Sequence, residues 1–131
     1  MSCGCQKKVL SNGKIGCTKC VSAAPAAQEA TNKLLDMPNP PDAIFGINDD
    51  LAIGAIYACK EKGLKIPSDI SIVGFSNTKR SQYMKPSLTT LNQNPEEVGR
   101  LAAELLFEQI KDPKNHVNRE EIVHAKLIVR E

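Results

Sequence analysis

Two short apolar runs constrain this chain more than anything else in it. Ala43-Ile44-Phe45-Gly46-Ile47 and Ile70-Ser71-Ile72-Val73-Gly74-Phe75 are each closed by a polar cluster, Asn48-Asp49-Asp50 after the first and Ser76-Asn77-Thr78-Lys79-Arg80 after the second. Runs of this length suit strands buried on both faces, the habit of parallel sheets. Parallel neighbours need a crossover connection, and the residues between the runs supply one. Asn48-Asp49-Asp50 offers N-cap side chains. Leu51, Ile53, Ile56, Tyr57 and Lys60 then mark a helix that ends at Gly63, where a left-handed cap costs little.

The alternation continues on either side. Ala27, Ala30, Leu34 and Leu35 recur at helical spacing from Ala26 until Pro38-Asn39-Pro40-Pro41 stops the helix. Ser87-Leu88-Thr89-Thr90-Leu91 reads as a third strand. Pro95 opens a helix with Val98, Leu101, Ala102, Leu105, Leu106 and Ile110 on one face, and His124–Val129 closes the chain as a strand. The pattern predicts an α/β fold, a mostly parallel sheet with helices on both sides in three layers. In such sheets ligands bind beyond the carboxyl ends of the strands. The two polar clusters occupy that place, and both are short and able to donate and accept hydrogen bonds.

Residues 1–25 read as a separate Cys/Lys-rich segment ahead of a body at 26–131. Lys7, Lys8, Lys14 and Lys19 lie in the first 24 residues with no acid, whereas the remainder is mildly acidic and the whole carries +2. Four lysines are a weak footprint for phosphate binding and suit a solvated tail. Cys3, Cys5, Cys17 and Cys20 flank Ser11-Asn12-Gly13-Lys14, a hairpin signal because Asn-Gly readily takes positive φ. The hairpin would gather the four thiols. Zinc is one outcome, with Cys17-Thr18-Lys19-Cys20 at ordinary knuckle spacing and Cys3-Gly4-Cys5 too tight for it; a reduced, unordered tail is the other. No apolar run approaches the roughly 20 residues that span a bilayer, and no signal-peptide core is present, so a cytoplasmic protein without disulfides is expected.

The body resembles the lactose-repressor/galactose-repressor family of transcription regulators. Pro41–Ala55 is similar to that family's strand-to-helix segment, and Gly63-Leu64-Lys65-Ile66-Pro67-Ser68-Asp69-Ile70-Ser71-Ile72-Val73-Gly74-Phe75 to the next one. Pro86-Ser87-Leu88-Thr89-Thr90-Leu91-Asn92-Gln93 and Leu127-Ile128-Val129-Arg130 follow in the family's order. The resemblance implies two α/β subdomains of the sugar-binding-protein type, an effector in the cleft between them, and a preceding helix-turn-helix head that reads an operator as a dimer. It implies a sugar-like small molecule at Asn48, Asp49, Phe75, Ser76 and Asn77, with Asn48 the best contact because an amide both donates and accepts; the alternative for Asn48 and Asp49 is to cap the helix, and Phe75 is equally suited to cover a ligand face or to fill the core. Many relatives carry a carboxylate where this chain has Ser76, and Asn77 is placed to take over part of that role. It implies a homodimer contact on the outer face of helix 51–62 and at Ser81–Lys85, with Leu51, Tyr83 and Met84 as anchors. It also implies that the strand at 88–91 and the helix at 95–111 belong to the first subdomain, while 127–129 returns to the second. Nothing in residues 1–25 resembles the head, so the chain is expected to be a fragment that contacts DNA only through a domain it lacks.

Three rivals stand beside this reading. A transport-type sugar-binding protein shares the fold, but the chain lacks a signal peptide and carries the Pro86–Leu91 motif. An enzyme would need a nucleophile–base pair, and His116 and His124 have no evident partner. A zinc-hairpin interaction module would make the body a remnant.

Overall fold

The computed structural model describes residues 24–113 and 119–130, together with the backbone of 8–9 and 15–16. Two strands, β1 (Lys8–Val9) and β2 (Ile15–Gly16), pair antiparallel with Lys8 opposite Gly16 and Val9 opposite Ile15. The Asn12-Gly13 turn and all four N-terminal cysteines lie outside the described residues.

The body runs α1 (Ala24–Leu35), β3 (Ala43–Phe45), α2 (Asp49–Glu61), β4 (Ser71–Phe75), α3 (Lys79–Tyr83), β5 (Thr89–Asn92), α4 (Pro95–Lys111) and β6 (Lys126–Ile128). The sheet order is β3-β4-β5-β6, with the first three strands parallel and β6 antiparallel to β5. This mostly parallel open sheet is what the alternating pattern predicted. Register places Ile44 beside Ile72 and Gly74 beside Thr90 on one face, and Phe45 beside Val73 and Phe75 beside Leu91 on the other.

α2 lies on the first of those faces and α1 packs on α2. Sandwiched in this way, α2 is buried almost all round. Ala52, Ile53, Ala55, Ile56 and Cys59 join Ile70, Ile72 and Leu88 in one core, and Leu35, Ile44, Leu64, Ile66 and Met84 pack against it. The two helices approach closely at Gly54, where a Cβ would collide with the Ala24 carbonyl oxygen and come within 2.7 Å of the Ala27 methyl. α2 stops at Lys62, and Gly63 follows with φ +73°.

Two expectations are corrected. The strand at 89–92 does not stand apart from the β3–β4 sheet: it pairs in parallel with β4, with Val73 opposite Thr89 and Phe75 opposite Leu91. The physical reason is the fully buried Thr90, whose hydroxyl bonds the α2 carboxyl of Asp49 at 2.5 Å and ties β5 to the layer beneath. Residues 79–83, read as loop and contact segment, form a short helix whose Ser81 hydroxyl donates to the Thr78 carbonyl at 2.6 Å.

Helix α4 sits apart from the core among the described residues. α4 has no buried residue, and Val98, Leu106, Phe107 and Ile110 are all exposed. Its order is local: Pro95 at the first turn beside Glu96 and Glu97, and Arg100 bridging Glu97 and Glu104, each at 2.6 Å. No helix among the described residues is long and apolar enough to cross a membrane.

Candidate functional site

The carboxyl ends of β3 and β4 deliver the two polar clusters side by side. β3 ends at Phe45, Gly46 N–H still donates to the Val73 carbonyl at 2.8 Å, and the chain turns through Ile47 and Asn48 into α2. Asn48 is the N-cap in extended conformation, and its Oδ1 accepts from Leu51 N–H at 2.9 Å. This satisfies one of the amide groups that a helix start leaves bare. β4 ends at Phe75, and the chain then takes two rare conformations, Ser76 at φ +144° and Asn77 at φ +52°. Asparagine tolerates the left-handed region, but serine rarely enters positive φ, so surrounding contacts must hold the turn.

Those contacts come from two residues. Asp49 is fully buried, with Oδ2 accepting from Thr78 N–H at 2.7 Å and from the Thr78 hydroxyl at 3.0 Å, and Oδ1 accepting from the Thr90 hydroxyl. Thr90 Oγ1 in turn accepts from Asn77 N–H at 3.3 Å. The first residue of α2 therefore ties down the turn after β4. Gly74 makes room for this: a Cβ there would strike Asp49 Oδ1 and lie 2.9 Å from a Leu88 methyl. From the other side Arg130, just past β6, donates through Nη2 to Asn77 Oδ1 at 2.6 Å. Its Nη1 donates to the Leu88 carbonyl at 2.8 Å and the Ser81 hydroxyl at 3.0 Å. Arg130 is itself fixed by Thr89, whose hydroxyl accepts from Arg130 N–H at 2.9 Å.

The candidate contacts thus divide. Asn48, Ser76 and Asn77 are half-buried and gathered at one end of the sheet, with Phe75 half-buried behind them in edge-to-face contact with Phe45, ring centroids 6.3 Å apart. Asp49 is in the same cluster but faces inward, and its oxygens are engaged within the chain. Neither Asp49 as a latch nor Arg130 was visible to sequence reasoning as part of the site. The partners of Asp49 lie 29 and 41 residues away, and Arg130 sits in a motif that carried only the resemblance.

Of the three proposed contact anchors, Tyr83 is open at 82% exposure, but Leu51 is buried and Met84 packs on the core. Both are taken up by the chain's own packing. Among the described residues no cluster of His, Cys, Asp and Glu has the makings of a metal site. Cys59 is buried and its thiol is pushed up by that burial, away from the thiolate a nucleophile needs.

The periplasmic binding protein-like domain family matches residues 5–131, a span that begins ahead of the body read from the sequence. The chain is 40% identical over 105 residues to the HTH-type transcriptional repressor PurR of Aliivibrio salmonicida (strain LFI1238), covering 80% of this chain and 31% of that repressor. It superposes on a LacI family transcriptional regulator from Enterococcus faecium with bound ribose, with a TM-score of 0.73 at 32% identity, over 83% of this chain and 40% of the other. The lac repressor dimer bound to operator and the anti-inducer ONPF gives a TM-score of 0.74 at 30% identity, over 82% and 37%. The chain therefore spans about a third of the length of the repressor it matches.

Proposed function

Since the chain belongs to the periplasmic binding protein-like domain family, with LacI-type regulators among its relatives, we propose that it is a small-molecule-sensing module of a transcription regulator. The observation that carries this reading is the joining of the two clusters. Asp49 couples the Asn48 cap to the turn at 76–78, so polar side chains from two strand ends form one preorganised rim. Such a rim binds without needing to order itself first. A sugar is the effector class this reading favours, with Asn48, Ser76 and Asn77 offering hydrogen bonds and Phe75 an apolar flank.

The module acts by binding rather than catalysis, in line with the repressors it is similar to. A homodimer contact would use α3, where Tyr83 stands open; light scattering on Tyr83→Asp, compared with the parent chain, tests it, and an unchanged mass removes Tyr83 from the contact. Operator recognition is not assigned to these residues, and a gel shift with operator against scrambled DNA should show no preference.

Calorimetry with a panel of mono- and disaccharides tests the site directly. Ser76→Trp, which adds bulk at the rim, is expected to abolish any binding seen with the parent chain. Binding that survives Ser76→Trp unchanged would place the effector elsewhere.

A further inference from the structure

Among the described residues the sheet is covered on one face. α2 lies on the face that carries Ile44, Ile72 and Thr90, whereas Phe45, Val73, Phe75, Leu91 and Leu127 share the opposite face in register. None of those five is buried, and Phe45 and Leu127 are each 53% exposed. Parallel strands ordinarily have helices on both faces. α4 is the element of the right kind to supply the missing cover. Val98, Leu101, Leu105, Leu106 and Ile110 form a stripe along one side of it, and none of them is buried.

α4 does not cover its own sheet, and the link to β5 shows why. Only Gln93 and Asn94 separate the two elements, and Asn94 is pinned in the left-handed conformation at φ +50° and ψ +56°. Its N–H donates to Asn92 Oδ1 at 3.1 Å, and its Nδ2 donates to the His124 carbonyl at 2.9 Å. The helix therefore leaves the sheet in a set direction with its stripe open. Stripe and sheet face are complementary in kind, and every copy of the chain carries both. A two-fold pairing lets each helix cover the other's sheet and leaves no unmatched end. A foreign partner would have to bring both a helix and a sheet face to do as much. The apolar area open on the two surfaces together is on the order of 800 Å² per chain, what each partner buries in a stable complex.

We propose that two copies of this chain pair reciprocally, the α4 stripe of each lying on the bare sheet face of the other, and so complete the third layer. The contact does not involve α3, and it shares only Phe75 with the polar rim. It depends on concentration. Well below its Kd, α4 is the unsupported helix of the single chain; above it, α4 is covered.

The test is sedimentation equilibrium of the 131-residue chain from submicromolar to submillimolar concentration. Every chain carries Tyr83→Asp, so that no contact through α3 contributes. A monomer–dimer equilibrium is expected. Leu106→Glu in the helix stripe and Leu127→Glu on the sheet face should each raise the dimer Kd tenfold or more. Both side chains are more than half exposed in the single chain, so neither substitution strikes the core. Circular dichroism checks that each variant folds, and Phe45→Glu replaces Leu127→Glu if β6 does not tolerate the charge. Mixing the helix variant with the sheet variant is the most discriminating arm. A pair made of one of each keeps one intact helix-on-sheet contact, whereas neither variant can form one with itself. The mixture is expected to recover a dimer that neither variant shows alone. A strictly monomeric parent, a mass that grows past the dimer, variants that pair as tightly as the parent, or a mixture no heavier than its components would overturn the proposal.

Discussion

α2 and α4 are both helices with acidic first turns and apolar faces, yet they live in opposite surroundings. α2 has nine buried residues among its thirteen, whereas α4 has none among its seventeen. Amphipathic spacing fixes that a segment can be a helix; it does not decide whether a partner is present to bury it. α2 is held by the sheet on one side and α1 on the other. Among the described residues α4 is held by its first-turn acids, the Arg100 bridges and an exposed Glu108–Arg119 pair, close to the regime in which isolated helices are marginal. The candidate site follows the same division, because it hangs entirely on α2, the strand ends and Arg130.

The largest expected effect separates the two helices by a core truncation. Ile53 is fully buried, so Ile53→Ala should cost about 2–5 kcal/mol in urea unfolding. Leu106 is 55% exposed, and Leu106→Ala should fall within about 0.5 kcal/mol of the parent. Comparable losses from the two would mean that α4 buries this face after all.

Next in size is Asp49→Ala, which strands the Thr78 N–H and two threonine hydroxyls around the space it leaves. A loss of about 1–3 kcal/mol is expected. It should come with faster exchange of the Asn77 and Thr78 amides than global unfolding explains. A stability loss without that local loosening would make Asp49 a core residue and no latch.

The smallest effect is confined to α4. Arg100 holds the Glu97 carboxyl below the usual range through its hydrogen bond. A depressed pKa contributes stability above the ordinary glutamate value, about 4.3, and that contribution is lost as pH falls through the lowered one. Acidification across that window, and Arg100→Ala at neutral pH, should each reduce α4 helicity seen by carbon chemical shifts while leaving α2 untouched. A parallel loss in α2 would show the two helices to be coupled.

Much of this was legible in the sequence, and the reasons are local. The apolar runs at 43–47 and 70–75, the cap at Asn48, the stop at Gly63 and Pro95 at a helix start are short-range signals, and each appears in the structure within a few residues. The strand ends were shortened because Ile47 and Ile70 leave the ladder. Long-range choices were not legible. Five residues of α3 are too few to show a period. Thr90 looks like any β-branched strand residue until Asp49 is seen to bond it, and that bond helps hold β5 in the sheet beside β4. Asn77 reads as a free polar residue; only the arrival of Arg130 from 53 residues away shows its oxygen to be engaged within the chain.

The account's central claim is that the site is mounted on the rigid half of the molecule while α4 stands unsupported. Residue-resolved hydrogen exchange on the whole chain tests it most directly, because each amide reports its own opening free energy. The account predicts that amides of Ile53–Cys59 open only with global unfolding, that those of Asn77 and Thr78 come close behind, and that α4 exchanges orders of magnitude faster. Protection of α4 equal to that of α2, or a turn at 76–78 as unprotected as α4, would contradict it.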